Sequence, residues 1–263
     1  INLKDWQEFL KKLENPKSKI KIALVGKYVQ LADSYKSIIE ASTHASTHFE
    51  TKVDLKLISS EKIDKNNLDE IFNGVQGIIV APGFGTRGFE GKILSVYYSR
   101  KNNIPFFGIC LGMQCAVIEY MRNVLDKRDA STTEIDKSTS NPVIDLMHNQ
   151  KKIKEKGGSM RLGSYKCNLI EETIAASSYG KRIINERHRH RYEFNNNFRE
   201  LFFSKEMLIS GYNAKNNLVE IIELKNHTWF VGVQFHPEYK STVQNPHPLF
   251  ISFINSILKN HEK

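Results

Sequence analysis

The chain has 263 residues and a formal charge of +9, since 38 lysine and arginine residues outnumber 29 aspartate and glutamate residues. Its content of 40% hydrophobic and 10% aromatic residues is enough for an ordinary globular core, which excludes global disorder. The sequence has no apolar run of about 18 residues, which excludes a transmembrane helix. Three cysteines argue against a disulfide framework and favour a reducing compartment, so we expect a cytoplasmic protein.

Helical and strand-like patterns alternate through the first half of the chain. Apolar residues at helical spacing predict a helix over residues 1–14, which ends before Pro16. Compact apolar runs predict strands at 19–25, 53–58, 75–80 and 104–109. The segments that follow these strands predict helices at 34–45, 68–73, 91–101 and 111–125. Strands that are apolar on both faces and alternate with helices indicate a parallel sheet covered on both sides.

The pattern changes in the second half. Residues 126–158 are polar and charged, without a strong period. Strand patterns follow at 163–168, 193–194, 209–212, 219–224 and 229–235, and a closing helix is predicted at 250–258. The chain is therefore predicted to be one α/β domain with an antiparallel extension.

The positive charge is dense at two places only. Residues 151–156 lie in a polar stretch and predict a solvated loop, whereas residues 187–191 precede Tyr192 and predict the approach to a strand. The positive charge of the second patch is explained equally well by a pocket for an anionic ligand and by binding to a nucleic-acid phosphate backbone. Neither patch has the interleaved aromatic residues of a single-strand binder. A nucleic-acid protein remains an alternative that charge alone suggests, and tight, salt-sensitive binding to random DNA would support it.

Cys110 stands where a predicted strand turns into a predicted helix. Gly108 and Gly112 flank it, which gives the Gly-x-nucleophile-x-Gly elbow with cysteine as the nucleophile. The start of the helix points free N–H groups and a positive dipole end at the sulfur, which favours the reactive thiolate. The backbone N–H of Leu111 is a candidate oxyanion donor. A buried cysteine beside incidental glycines is the alternative interpretation.

A thiolate nucleophile needs a partner that moves protons. His236 ends an apolar strand, and Glu238 stands two residues further on, where an extended segment turns it to the same side. The pattern predicts that Glu238 orients the imidazole while the other ring nitrogen faces Cys110. Cys115 and Cys167 are predicted to be core residues.

A second oxyanion donor is expected from a neighbouring strand. The turn over residues 82–85 follows the predicted strand 75–80, and its Gly83 is the candidate donor. An ordinary glycine turn is the alternative.

These residues resemble those of the class I, triad-type, glutamine amidotransferases. The elbow and the Phe-His-Pro-Glu sequence at 235–238 are common to that class. Within it the chain resembles the CTP synthase family over residues 20–258. The more specific stretches are 25–28, 33–37, 83–88, 90–92, 157–163 and 186–193. One departure is Pro82, which replaces a glycine that this family usually has, while Gly83 is retained.

The resemblance implies a fold and a set of site residues. The fold is α/β, a three-layer, doubly wound, mostly parallel sheet of flavodoxin-like type with an antiparallel extension. Residues 1–18 resemble a linker helix from a missing synthetase domain, and residues 19–263 a glutamine amidotransferase domain. The implied roles are nucleophile for Cys110, general base and acid for His236, and orienting carboxylate for Glu238. The implied glutamine-binding residues are Gly83, Leu111, Gly112, Met113, Gln114, Glu134 and Arg191.

The resemblance also implies cofactors and partners. L-Glutamine is hydrolysed here, and the ammonia passes to the synthetase domain of the same polypeptide, which uses ATP and Mg²⁺ to aminate UTP to CTP. No cofactor or metal is expected in this domain, and the sequence has no Walker A motif. GTP is the implied activator, with Arg87 and Arg161 as candidate contacts. The full-length enzyme is expected to be a homotetramer, without nucleic-acid or membrane partners.

Two further alternatives share the fold. The first is the glutaminase of another amidotransferase, or a γ-glutamyl hydrolase, against which the stretch 187–193 argues. The second is a non-catalytic binding module. The presence of Cys110, His236 and Glu238 together argues against it, since a sensor has no need for all three.

Overall fold

The computed structural model describes residues 3–31, 33–146 and 160–261. The predicted loop at 151–156 and residues 157–159 of the stretch 157–163 lie outside these ranges. The helices are α1 Lys4–Glu14, α2 Lys36–His48, α3 Leu68–Ile71, α4 Phe89–Lys101, α5 Leu111–Asn123, α6 Ile174–Tyr179, α7 Arg199–Phe203 and α8 Pro248–His261. The strands are β1 Ser18–Gly26, β2 Thr51–Ser59, β3 Gly77–Val80, β4 Phe106–Ile109, β5 Ser131–Thr132, β6 Pro142–Leu146, β7 Arg161–Leu169, β8 Ile183–His190, β9 Tyr192–Phe194, β10 Met207–Asn213, β11 Leu218–Leu224 and β12 Phe230–Val233.

The large sheet has the strand order β2-β1-β3-β4-β12-β11-β10-β7-β8. The first five strands are parallel neighbours. The other four are each antiparallel to the strand before them, so that only β11 and β7 oppose the common direction. The predicted mostly parallel α/β sheet with an antiparallel extension is therefore confirmed.

The central strands β3, β4 and β12 are short and buried on both faces. All four residues of β3, of β4 and of β12 are buried. Alternate residues enter two cores, so that Val80 packs with the α4 and α5 side while Ile79 packs with the α2 and α8 side. Helices on both faces leave only the strand ends open to solvent, which is where a ligand site forms in sheets of this kind.

The predicted helices and strands of the first half are all present, with shifted ends. The structure adds a small sheet of order β5-β6-β9, two strands of which come from the segment 126–158, where no strand was predicted. It also adds α6 and α7, which the sequence analysis missed. In the part of the chain that the structure describes, no helix has the length and hydropathy needed to cross a membrane.

Strand β8 contains most of the second basic patch. Its side chains alternate strictly, with Glu186, His188 and His190 buried and Arg187 and Arg189 exposed. The predicted approach to a strand is therefore itself a strand. It was missed because three of its four inward residues are polar, so that its alternation carries little hydrophobic signal.

Candidate active site

A cavity of about 520 Å³ opens at the carboxyl ends of the central strands. The segments that follow β1, β3, β4 and β12 all contribute to its wall, through Tyr28, Gly83, Cys110 and His236. This edge of an α/β sheet is where ligands are expected, because the strand ends and helix starts meet there. The topology thus brings together the residues that the sequence analysis selected from separate segments.

Cys110 adopts the sharp turn that the elbow pattern predicts. Its φ is 52° and its ψ is −102°, a left-handed conformation that costs strain energy for a residue with a side chain. Its N–H donates to the Val233 carbonyl at 2.7 Å, which ties the turn to β12. The residue is 6% exposed and stands directly before α5.

The flanking glycines are required by close backbone approach. A Cβ at Gly108 would lie 2.7 Å from the carbonyl carbon of Gly112, and a Cβ at Gly112 would overlap the carbonyl oxygen of Val80. Helix α5 is therefore packed directly against β4 and the end of β3. This contact places the start of α5, and with it the sulfur, at the cavity.

His236 and Glu238 form a hydrogen-bonded pair, but by a different local geometry from the one predicted. Strand β12 already ends at Val233, and Glu238 lies in a 3₁₀ helix over Pro237–Lys240 instead of an extended segment. The Nδ1 atom of His236 lies 2.7 Å from Oε1 of Glu238. The predicted pair is present because the 3₁₀ turn folds the carboxylate back to the ring.

The imidazole of His236 is fixed on several sides. Its backbone N–H donates to the Arg187 carbonyl at 2.8 Å, and the ring of Tyr239 stacks on it at 4.8 Å between centroids. The ring is buried, and its Nε2 has no hydrogen-bond partner within the described residues. Such an atom is available to a proton or a ligand inside the cavity.

The charges of Cys110 and Glu238 act on His236. Burial by itself disfavours the protonated ring, but the thiolate of Cys110 and the carboxylate of Glu238 outweigh it and raise the pKa of His236 to about 11. In contrast, burial and the nearby Arg161 lower the pKa of His190, which also lines the cavity, to about 3. Of these two cavity histidines, His236 is therefore the one that holds a proton at neutral pH.

The other two cysteines are core residues. Cys115 and Cys167 are fully buried, and burial raises the pKa of the Cys115 thiol to about 12. Burial likewise raises the pKa of Cys167. Neither is among the residues that line the cavity.

The residues selected for glutamine binding divide into two groups. Gly83, Gln114, Glu134 and Arg191 line the cavity. Leu111, Gly112 and Met113 begin α5, and the side chains of Leu111 and Met113 are buried in the core. The contribution expected from these three residues is therefore through their backbone.

A family comparison adds to this geometry. The sequence model described as Glutamine amidotransferase class-I matches residues 30–256. The chain belongs to this family.

Comparison with individual proteins shows which amidotransferases this chain is similar to. The chain is 58% identical over 262 residues to the CTP synthase of Flavobacterium psychrophilum, covering 100% of this chain and 49% of that protein. It is 56% identical over 255 residues to the CTP synthase of Cytophaga hutchinsonii, covering 97% of this chain and 47% of that protein. The solved glutaminase domain of Trypanosoma brucei CTPS with bound acivicin matches with a TM-score of 0.85 at 36% identity, covering 91% of this chain and 94% of that one.

The amidotransferase is thus of the CTP synthase glutaminase type, and it spans about half the length of the curated relatives that it matches. A putative GMP synthase subunit from Thermoplasma acidophilum matches with a TM-score of 0.59 at 17% identity and shares the fold alone.

The two arginines selected for GTP lie in different environments in this amidotransferase. Arg87 is half exposed, pairs with Glu61 at 3.2 Å and lies 5.0 Å from the ring centroid of Tyr28. Arg161 is 2% exposed and pairs with Glu220 at 2.7 Å. A guanidinium buried against a carboxylate is not presented to a nucleotide, so only Arg87 is retained as a candidate contact. Among the described residues, no group of three or more His, Cys, Asp or Glu side chains is arranged to hold a metal ion.

Lys92 was missed as a site residue by the sequence analysis. It is 1% exposed, and its Nζ donates to the carbonyls of Ala81 at 2.5 Å and Pro82 at 3.2 Å. A Cβ at Gly83 would lie 3.3 Å from this nitrogen and 3.5 Å from Cδ2 of Leu111. Lys92 therefore holds the turn that places Gly83 beside Leu111. Burial lowers its pKa to about 8.

Replacing Lys92 with methionine is expected to lower kcat for glutamine hydrolysis about tenfold to a hundredfold with little change in KM, because the turn carrying Gly83 loses its support. Steady-state kinetics at pH 7 measures this, and Lys101→Met, an exposed position on the same helix, is the matched control. An unchanged kcat in the Lys92 variant contradicts the role.

The Lys92→Met variant is also expected to differ from the parent in how its stability depends on pH. Lys92 binds its proton less tightly in the folded chain than in the unfolded chain, where its pKa has the ordinary value of 10.5. Its contribution to stability therefore rises as the pH goes from about 8 to 10.5, and the methionine variant lacks this rise.

Proposed function

We propose that the chain hydrolyses L-glutamine to glutamate and ammonia through a thioester on Cys110. The observation that carries this proposal is that Cys110 and His236 line one cavity and Glu238 pairs with the imidazole, so that the thiolate and the carboxylate both act on it. A nucleophile, a base and an orienting acid in this order are the parts that covalent acyl transfer requires.

The reaction follows from these positions. The thiolate attacks the side-chain amide carbon of glutamine, and the electron pair of the C=O bond moves to oxygen. The N–H groups of Gly83 and Leu111 stabilise that oxyanion. The protonated His236 gives its proton to the leaving ammonia. Water, deprotonated by His236, then attacks the thioester, which releases glutamate and returns the thiolate.

Recognition of the amino acid is assigned to two oppositely charged residues of the cavity wall, Glu134 and Arg191. Glu134 provides a carboxylate for the substrate ammonium group, and its Oε1 also accepts a hydrogen bond from the N–H of Gly85 at 2.8 Å. Arg191 provides positive charge for the substrate carboxylate. The opposite charges at one cavity suit a zwitterionic amino acid.

The use of the ammonia is proposed from the relatives, which are named CTP synthases and are about twice as long as this chain. In the full-length enzyme the ammonia passes to a synthetase domain, which aminates UTP to CTP with ATP and Mg²⁺. GTP activates the glutaminase, with Arg87 as a contact, and the full-length enzyme is a homotetramer. An assay of UTP amination with the matching synthetase domain separates this from the glutaminase of another amidotransferase.

The test of the glutaminase site uses acivicin, an electrophilic glutamine analogue. Peptide mass mapping is expected to find it on Cys110 and not on Cys115 or Cys167, because only Cys110 lines the cavity. Excess L-glutamine is expected to slow the labelling, while D-glutamine is the matched control without effect. Equal labelling of the three cysteines, or labelling that L-glutamine does not slow, contradicts the proposal.

A further inference from the structure

Gln234 contacts the sulfur of Cys110, and the mechanism above gives it no role. It lies between the end of β12 and His236, is 0% exposed, and its Nε2 is 3.7 Å from Sγ of Cys110. Its backbone N–H donates to the Glu220 carbonyl at 2.8 Å, which ties the residue to β11. The side chain of Gln234 is therefore held inside the protein and is not among the residues that line the cavity.

The orientation of the Gln234 amide is set by a second buried glutamine. Gln114 is 3% exposed, and its Nε2 donates to the Tyr192 carbonyl at 2.8 Å and to Oε1 of Gln234 at 3.2 Å. A backbone carbonyl only accepts hydrogen bonds, so it fixes which end of the Gln114 amide faces it. The same NH₂ group then holds the oxygen of Gln234, which turns the NH₂ group of Gln234 to the sulfur.

We propose that Gln234 is a further catalytic residue, whose side-chain N–H donates to Cys110 and stabilises the thiolate that attacks glutamine. The inference rests on the proposed function. A donor stabilises a charged sulfur more than a neutral thiol, and the difference is largest where water is excluded. The same contact stabilises the thiolate when it leaves during thioester hydrolysis.

Gln234 acts together with the charged groups that surround the sulfur. His236 is positively charged with Glu238 behind it, and the ammonium of Lys92 also interacts with Cys110. The positive charge on His236 is lost when its proton goes to ammonia. The amide of Gln234 has no titratable proton, so it remains a donor through both halves of the reaction.

The test is the rate at which iodoacetamide alkylates Cys110, measured against pH. This small reagent reacts with the thiolate, and its reaction does not depend on the residues that recognise glutamine. Gln234→Glu keeps the shape and the acceptor for Gln114 but places a carboxylate oxygen at the sulfur. We expect the alkylation rate at pH 7 to fall about tenfold or more, and its pH midpoint to rise by about one unit. We expect kcat for glutamine to fall with it and KM to change little.

The matched control is Gln76→Glu, which adds the same charge at the far end of the sheet, where Oε1 of Gln76 accepts from the Lys21 N–H at 2.7 Å. Its alkylation profile is expected to be that of the parent. Gln234→Leu removes the donor without adding charge and decides the matter if the glutamate variant does not fold; its alkylation is expected to slow several-fold.

Alkylation rates and pH midpoints that match the parent in the folded Gln234 variants overturn the inference, even if kcat falls. Failure of the parent to hydrolyse glutamine overturns the proposed function instead, while the comparison of alkylation profiles still decides the role of Gln234.

Discussion

Replacing Cys110 with alanine is expected to reduce glutamine hydrolysis on the order of 10³-fold or more, since the reaction loses its nucleophile while the cavity and His236 remain. Release of glutamate or ammonia measures the effect under saturating glutamine. The change removes one sulfur atom from a residue that is 6% exposed at the cavity, so the fold is expected to be retained.

The matched control is Cys115→Ala, in the helix that begins directly after Cys110 but wholly in the core. It is expected to lose about 1 kcal/mol of stability from the missing packing and to keep activity within several-fold of the parent. Activity in the Cys110 variant close to that of the parent would contradict the thioester mechanism.

Replacing Gly112 with alanine is expected to lower both stability and activity. The added methyl group would overlap the carbonyl oxygen of Val80, and backbone at the end of a buried strand cannot move aside as a flexible side chain does. Helix α5 must shift, which is expected to cost about 3 kcal/mol. The shift also moves Cys110 relative to Gly83, so kcat is expected to fall about a hundredfold.

Denaturant unfolding measures the first effect, and kinetics at a temperature where the variant is folded measures the second. Gly180→Ala is the control. Gly180 has a φ of 60° but nothing within 4 Å of an added Cβ, so its change carries a backbone cost of about 1 kcal/mol without a clash. A Gly112 variant as stable as the Gly180 variant, with full activity, would show that the elbow does not need its second glycine.

The elbow could be predicted because its determinants are adjacent in sequence. A buried strand, the two glycines at 108 and 112, and the helix that follows together specify a turn at Cys110, and the structure has that turn. The contact of His236 with Glu238 was also predicted, but from an extended segment. Local spacing established that two residues meet within a short segment, but it did not show which backbone conformation brings them together.

Strand β8 shows where the prediction failed. Hydrophobic alternation reports which residues face a core only when the inward residues are apolar, and here three of the four are polar, namely Glu186, His188 and His190. Their burial depends on partners from other strands, such as Glu220 on β11, which lies 3.4 Å from His188. Arg161 was expected from the resemblance to contact a nucleotide, but its side chain pairs with Glu220 across the sheet, a contact that local sequence does not reveal.

The amino-acid sequence by itself determined the alternation of strands and helices, the turn at Cys110 and the pairing of His236 with Glu238. These depend on short-range periodicity and steric limits, which a single segment contains. Only the tertiary structure decided that Lys92 supports the turn of Gly83, and that Gln114 and Gln234 orient an N–H toward the sulfur. Those contacts join residues more than ten to more than a hundred positions apart, and a hydrogen bond between buried polar groups leaves no periodic pattern in the sequence.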